Sequence, residues 1–219
     1  MPPKAKFTRE EILEKAIQIV RAEGMDKLTS RELGIRLGSS ARPIFTVFQN
    51  MEEVKQEVIH HAKALYRQYV ERGMQEKKAF GGVGLAYITF AMEEPKLFQL
   101  LFMSAPDGEG PSSNISQILP IIDESYEKIL RTVQEPYGLD RQTADRLYQH
   151  LWTYSHGIAV MSVTHLCNYS KEHISEMMSE VFQGLLFLLK RETPAAPNPG
   201  EKKSEHNKEK IERSSYDTN

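Results

Sequence analysis

Arg42 and Thr46 have side chains of the kind that read base edges: a guanidinium able to grip a guanine through two parallel hydrogen bonds, and a small hydroxyl. They lie one turn apart on a short predicted helix starting at Ser40, off the apolar stripe formed by Ile44, Phe45 and Phe48. Thr29, Ser30 and Ser40 stand where helices begin, and helix N-termini offer hydroxyls and unpaired amides to phosphate oxygens.

The elements that must position these groups are written in residues 28–54. Thr29 and Glu32 make a capping box, and the helix they open carries Leu33 and Leu37 one turn apart. Gly38 falls where the chain must turn sharply, which favours a residue at ease with positive φ. Two short helices across a glycine turn can place the second in a major groove; an ordinary helical hairpin has the same pattern. Upstream, Thr8 and Glu11 form another capping box, Ile12, Leu13, Ala16, Ile17 and Val20 recur at helical spacing, and Gly24 ends the run. Asn50 with Glu53 forms a third cap and opens a long helix to about residue 72.

Helix, turn, helix, tight turn, helix, cap and long helix is an order that resembles the bacterial tetracycline-repressor (TetR) type of regulator, over about residues 6–66. The likeness rests on Leu28-Thr29, Arg31-Glu32-Leu33, Gly38-Ser39-Ser40, Ile44-Phe45 with Phe48, and Glu52-Glu53-Val54. It implies a helix-turn-helix at 29–48 whose contacts to double-stranded operator DNA come from Thr29, Ser30, Ser40, Ala41, Arg42, Pro43, Phe45 and Thr46. Two positions depart from the family pattern. Phe45 replaces the usual Tyr, removing a phenol, and Met51 stands where a phosphate-binding Lys is common. Pro43 sits in the first turn, where a missing N–H costs little, and pushes Arg42 toward extended geometry, so the helix can begin effectively at Pro43.

The 219 residues carry 28 Lys and Arg against 30 Asp and Glu, a balance unlike that of a wholly basic nucleic-acid binder. Residues 1–50 nevertheless hold nine basic and six acidic side chains, including Lys4, Lys6 and Arg9 in an arm before the first helix. Such an arm adds phosphate or minor-groove contacts, or is a solvated terminus. One cysteine excludes an intrachain disulfide framework. No apolar run reaches membrane-spanning length and no hydrophobic signal core opens the chain, so a cytoplasmic protein without membrane contact is expected.

Beyond residue 79 the pattern stays helical, predicting an all-α fold: a three-helix helix-turn-helix domain, then a larger helical domain for ligand binding and dimerisation at 79–192. One helix is predicted over 80–93 and Pro95 opens another. A loop follows at 105–113, then a helix from Asn114 to about 135, ended by Pro136 and Gly138. Two long helices at 140–166 and 170–191, joined by a short turn, must pack antiparallel. Residues 193–219 are charged, poor in apolar side chains and predicted to be disordered.

Trp152, His156 and Gly157 resemble the Trp–His–Gly type of ligand-binding domain attached to some of these regulators, as does the segment AYITFAMEEPKLFQLLF. Trp152 and His156 share a helix face, and Gly157 lets another backbone approach. Tyr87, Phe90, Phe98, Phe102, Tyr126, Trp152 and His156, with Met103 and Met161 nearby, suit a pocket for a hydrophobic or amphipathic small-molecule effector. Plain core is the competing reading of that stripe, with Trp152 an anchor and His156 a satisfied buried imidazole. Phe182, Leu185, Leu186 and Leu189 recur along the last helix in excess of what one chain can cover, which predicts a homodimer seam.

Other chemistries find little support. His165 and Cys167 sit on opposite sides of a helix, so with His173 they do not converge on a metal, and Cys167 reads as a plain apolar thiol. Gly81-Gly82-x-Gly84 lacks the strand and Lys of a phosphate cradle. No enzyme motif and no cofactor is indicated. The expectation is a ligand-responsive regulator, most simply a repressor, acting as a homodimer on palindromic DNA. A helical protein-interaction module, or a regulator that has lost DNA binding, is the alternative, and an all-α enzyme ranks third.

Overall fold

A computed structural model describes residues 6–103 and 125–192. The arm residue Lys4, the loop at 105–113, the helix start at Asn114 and the tail at 193–219 lie outside the described residues. Among those described, every regular element is helical.

Helix α1, Arg9–Glu23, opens on the complete Thr8 capping box: Glu11 N–H donates to the Thr8 hydroxyl at 3.2 Å, and Thr8 N–H to the Glu11 carboxylate at 2.8 Å. Its apolar face, Ile12, Ala16, Ile19 and Val20, is fully buried. The chain turns at Gly24, whose φ of 97° favours glycine, passes a short turn at Met25–Lys27 and enters α2, Ser30–Arg36. Here only half of the predicted box forms. The Thr29 hydroxyl accepts from Glu32 N–H, but the Glu32 carboxylate takes Arg36 at 2.7 Å, and Thr29 N–H is already given to the Lys27 carbonyl.

Helix α3, Met51–Met74, runs without a break from the N-terminal bundle into the second half, so the boundary expected at residue 66 falls inside a helix. Asn50 caps it by accepting from Glu53 N–H at 2.9 Å. Helix α4, Ala79–Glu93, crosses α3 at a glycine pair: a Cβ on Gly73 would lie 2.6 Å from the Gly82 carbonyl oxygen. Gly81-Gly82-x-Gly84 thus includes a packing glycine that the sequence reading passed over. Helix α5, Pro95–Phe102, follows at once, with Pro95 in its first turn.

Helix α6, Tyr126–Tyr137, holds Pro136 within its last turn, where the missing N–H costs one bond and ends nothing. Gly138 (φ 62°) closes it, and Leu139 N–H returns to the Gln134 carbonyl at 3.1 Å. Helices α7, Arg141–Val163, and α8, Lys171–Glu192, form the expected antiparallel pair. The Met161 carbonyl receives Leu166 and Cys167 N–H at their turn, while Arg146 meets Glu192 at 3.0 Å at the other end.

Candidate nucleic-acid interface and ligand cleft

Residues Arg42–Thr46 form a tight 3-10 turn rather than an α-helix starting at Ser40. Ile44 N–H bonds the Ala41 carbonyl and Val47 N–H bonds the Ile44 carbonyl, both at 3.1 Å. The cause is local. Pro43 has no N–H, and its carbonyl is taken by the Thr46 hydroxyl at 2.7 Å instead of by an amide one turn on. Ile44 and Phe48 are buried, but Phe45 is 45% exposed and leaves the predicted packing stripe. Arg42, Phe45 and Thr46 therefore face solvent together, with Ser40 exposed just before them. Thr46 keeps its acceptor lone pairs, its proton being used internally.

A requirement the sequence reading missed lies under this turn. A Cβ on Gly34 in α2 would come 3.0 Å from the Ala41 nitrogen and from the Ser40 carbonyl carbon. A side chain there would press on backbone at residues 39–41, so glycine lets the chain fold back closely over α2. Gly38, with φ 64°, supplies the expected left-handed residue.

Arg9, read from sequence only as an arm charge, is a clamp. Its guanidinium lies 4.2 Å from the Phe48 ring centre, meeting Glu57 at 2.8 Å and Glu53 at 2.9 Å. The bonds to Glu57 and Glu53 raise the Arg9 pKa, while the Gln49 amide, then Arg9, hold Glu53 below the usual carboxylate range. The clamp ties α1 to α3 across the residue that seats the exposed turn. Lys6 adds a bond to the Ser39 hydroxyl at 3.1 Å.

The predicted pocket residues divide. Tyr87, Phe90, Phe98, Phe102, Trp152 and His156 do come together, joined by Tyr66 and with Tyr87 at their centre, ring centroids 4.9–6.4 Å apart. Tyr87, Phe90 and Phe98 are almost fully buried, so this is packed core rather than an open wall. His156 stacks on Trp152 and shares a 2.8 Å hydrogen bond with the Tyr87 hydroxyl through Nδ1. Burial lowers its pKa, favouring the neutral ring. Tyr126 lies apart, against Tyr148 and hydrogen-bonded to Asp145. Burial, and after it that carboxylate, push its phenol pKa up. Gly157 faces open space and brings no second backbone close.

Open volume is found elsewhere. A cleft of about 1160 Å³ lies between the end of α3, α4, α6 and α8, walled by Phe80, Leu85, Leu151, Met178, Phe182 and Leu186. None of the seven predicted pocket residues lines it, whereas Phe182 and Leu186, expected at a dimer seam, do. Leu185 is half-buried, and Leu189 packs into its own chain's core; the outward apolar side chains of α8 include Phe187 and Leu188. Leu189 and Phe182 share one face of this helix, while Phe187 and Leu188 turn to the other side.

One ion pair joins the two halves. Arg21 of α1 binds both oxygens of Glu94, which sits between α4 and α5 and is the one buried charged residue among those described. Among the described residues no helix is long and apolar enough to cross a membrane, and no three His, Cys, Asp or Glu side chains gather as a metal site.

Residues 80–183 match the family model of the tetracyclin repressor-like C-terminal domain. No curated protein matches the chain. The second half of the chain thus carries a tetracyclin repressor-like C-terminal domain, behind an N-terminal bundle whose described elements are all helical.

Proposed function

We propose that this protein is a ligand-responsive transcriptional repressor that binds a palindromic operator as a homodimer. The observation that carries the reading is the joint exposure of Arg42, Phe45 and Thr46 on a turn whose other face is anchored by Ile44 and Phe48. Arg42 reads a guanine in the major groove, Thr46 accepts from a neighbouring base edge, and Phe45 packs on a thymine methyl in place of a phenol on phosphate. Thr29, Ser30 and Ser40 bond phosphates and set the register.

A single reading head covers too few bases for useful specificity, so two copies act together. Phe187 and Leu188, 61% and 55% exposed on α8, support pairing of the α7–α8 hairpin with its mate into a four-helix bundle. Effector bound in the C-terminal half shifts the population toward a spacing of heads that no longer fits the operator.

The test is electrophoretic mobility shift with the DNA upstream of the protein's own gene. A shift that weakens steeply with salt, and that the double change Arg42→Ala with Thr46→Ala abolishes, is expected. No shift on any duplex, or a shift indifferent to both salt and that double change, would refute the DNA-binding reading and favour the interaction-module alternative.

A further inference from the structure

The cleft between α3, α4, α6 and α8 has two chemically distinct parts. Its inner wall is apolar, built from Phe80, Leu85, Met178, Phe182 and Leu186, and its volume of about 1160 Å³ exceeds what a drug-sized molecule needs. Its rim is charged. Four cations, Arg72, Lys77, Lys78 and Arg131, stand beside three carboxylates, Glu76, Glu93 and Glu135.

Those carboxylates are not equally available. Glu93 accepts the Tyr69 hydroxyl at 2.8 Å and lies 3.9 Å from Lys171. Burial, and after it the Glu93 bond, hold the Tyr69 phenol pKa up at about 12, so it stays a donor at neutral pH. Arg72 is spent as well, stacked over the Tyr69 ring and bonded to the Gln68 carbonyl. Lys77, Lys78 and Arg131 are exposed, and Arg131 also lies close enough to Glu127 to help Arg141 hold that carboxyl below its usual range. The rim thus carries one more cation than carboxylate beside an apolar wall, and charge complementarity selects the occupant.

We infer that this cleft, and not the Tyr87–Trp152 aromatic core, is the effector site, and that it takes an amphipathic organic anion. The apolar body lies against Phe80, Met178 and Phe182, and the anionic head meets Lys77, Lys78 or Arg131. The inference rests on the ligand-responsive reading above, but its test involves no DNA, so the two fail separately.

The probe is anilinonaphthalene sulfonate, titrated into the full-length protein by fluorescence, with N-phenylnaphthylamine as its uncharged counterpart. The sulfonate should bind at least as tightly as the neutral probe. Lys77→Glu with Arg131→Glu, both at exposed positions, should weaken the sulfonate about ten-fold and leave the neutral probe unchanged. Gly81→Trp should exclude both probes without lowering the melting temperature. Gly81 lines the cleft, and the nearest atom to a Cβ there is 4.0 Å away. Sulfonate binding unmoved by the charge reversal would overturn the anion assignment. Binding that survives Gly81→Trp would locate the probe on Phe187 and Leu188 and overturn the site.

Discussion

Removing Arg21 should cost more than an exposed arginine normally does, because of what it leaves behind. The Glu94 side chain is 8% exposed and the Arg21 side chain 49%, so the pair is lopsided: one partner is dry, the other half wet. Taking one partner from a fully buried pair costs about 3–5 kcal/mol, mostly the penalty of an uncompensated charge. Solvent screening on the Arg21 side reduces that by roughly half, giving about 2 kcal/mol for Arg21→Ala. In a chain of this size that is a fall of about 4–8 °C in melting temperature. The assay is urea unfolding followed by far-ultraviolet circular dichroism at one fixed protein concentration, since association also shifts the midpoint. The diagnostic is the double variant. Glu94→Gln removes the buried charge, so adding it to Arg21→Ala should recover at least half of the loss, a coupling of about 1 kcal/mol. Losses that simply add, or an Arg21→Ala cost below about 0.5 kcal/mol, would show that Glu94 is solvated and the joint between the halves lies elsewhere.

Arg42→Ala should lower operator affinity by about 1–3 kcal/mol in a mobility-shift titration and leave the melting curve unmoved. Gly34→Ala should destabilise the chain by about 1–3 kcal/mol in urea, because the atoms met by its Cβ are backbone and cannot step aside. Phe187→Glu with Leu188→Glu should yield a folded monomer in sedimentation, whereas Leu189→Glu should unfold the chain outright, since that side chain is already buried at home. His156 has a lowered folded pKa, so the unfolded chain binds more protons below its ordinary value of 6.5. Its contribution is complete above that value and is lost as pH falls through the window beneath it. His156→Asn should flatten the drop in stability between pH 7 and 5, and an unchanged slope would assign the drop to other groups.

The N-terminal bundle was legible because its signals are local. A capping hydroxyl, a glycine at positive φ and an aliphatic residue three or four positions from its partner all act within one or two turns, and Thr8, Gly38, Asn50 and Ile44 stand where their types predict. The errors in this region come from competition among neighbours. Arg36 draws Glu32 out of its box, and the Thr46 hydroxyl and Pro43 together tighten an expected α-turn into a 3-10 turn. Both competitors were in view, but a pattern of types does not say which bond wins. Gly34 and Arg9 are a different matter. Their roles exist only once α2 has folded under residues 39–41 and α1 has met Phe48, contacts that no spacing within one helix encodes.

The cleft shows what such reasoning does not see. Helical periodicity reports which residues point inward, and six of the seven side chains it singled out gather around Tyr87, without Tyr126 and with Tyr66 added. Pointing inward, however, is also the condition for filling space. Large rings that converge at 5–6 Å satisfy one another and leave no room, so the richest aromatic stripe is the poorest place for a cavity. A cavity needs the opposite: helices held apart at one end or carrying small side chains where they face each other. The cleft here is bordered by Gly73, Ala79, Gly81, Gly82, Ala86 and Ser179, small residues drawn from α3, α4 and α8. The glycine pair pins α3 to α4 at the crossing, and with no side chains to fill the space beside it, Phe182 and Met178 are left as its far wall. The informative sequence feature was therefore the run of small residues from Ala79 to Ala86, which carries no chemistry of its own and for that reason reads as empty until the helices are placed.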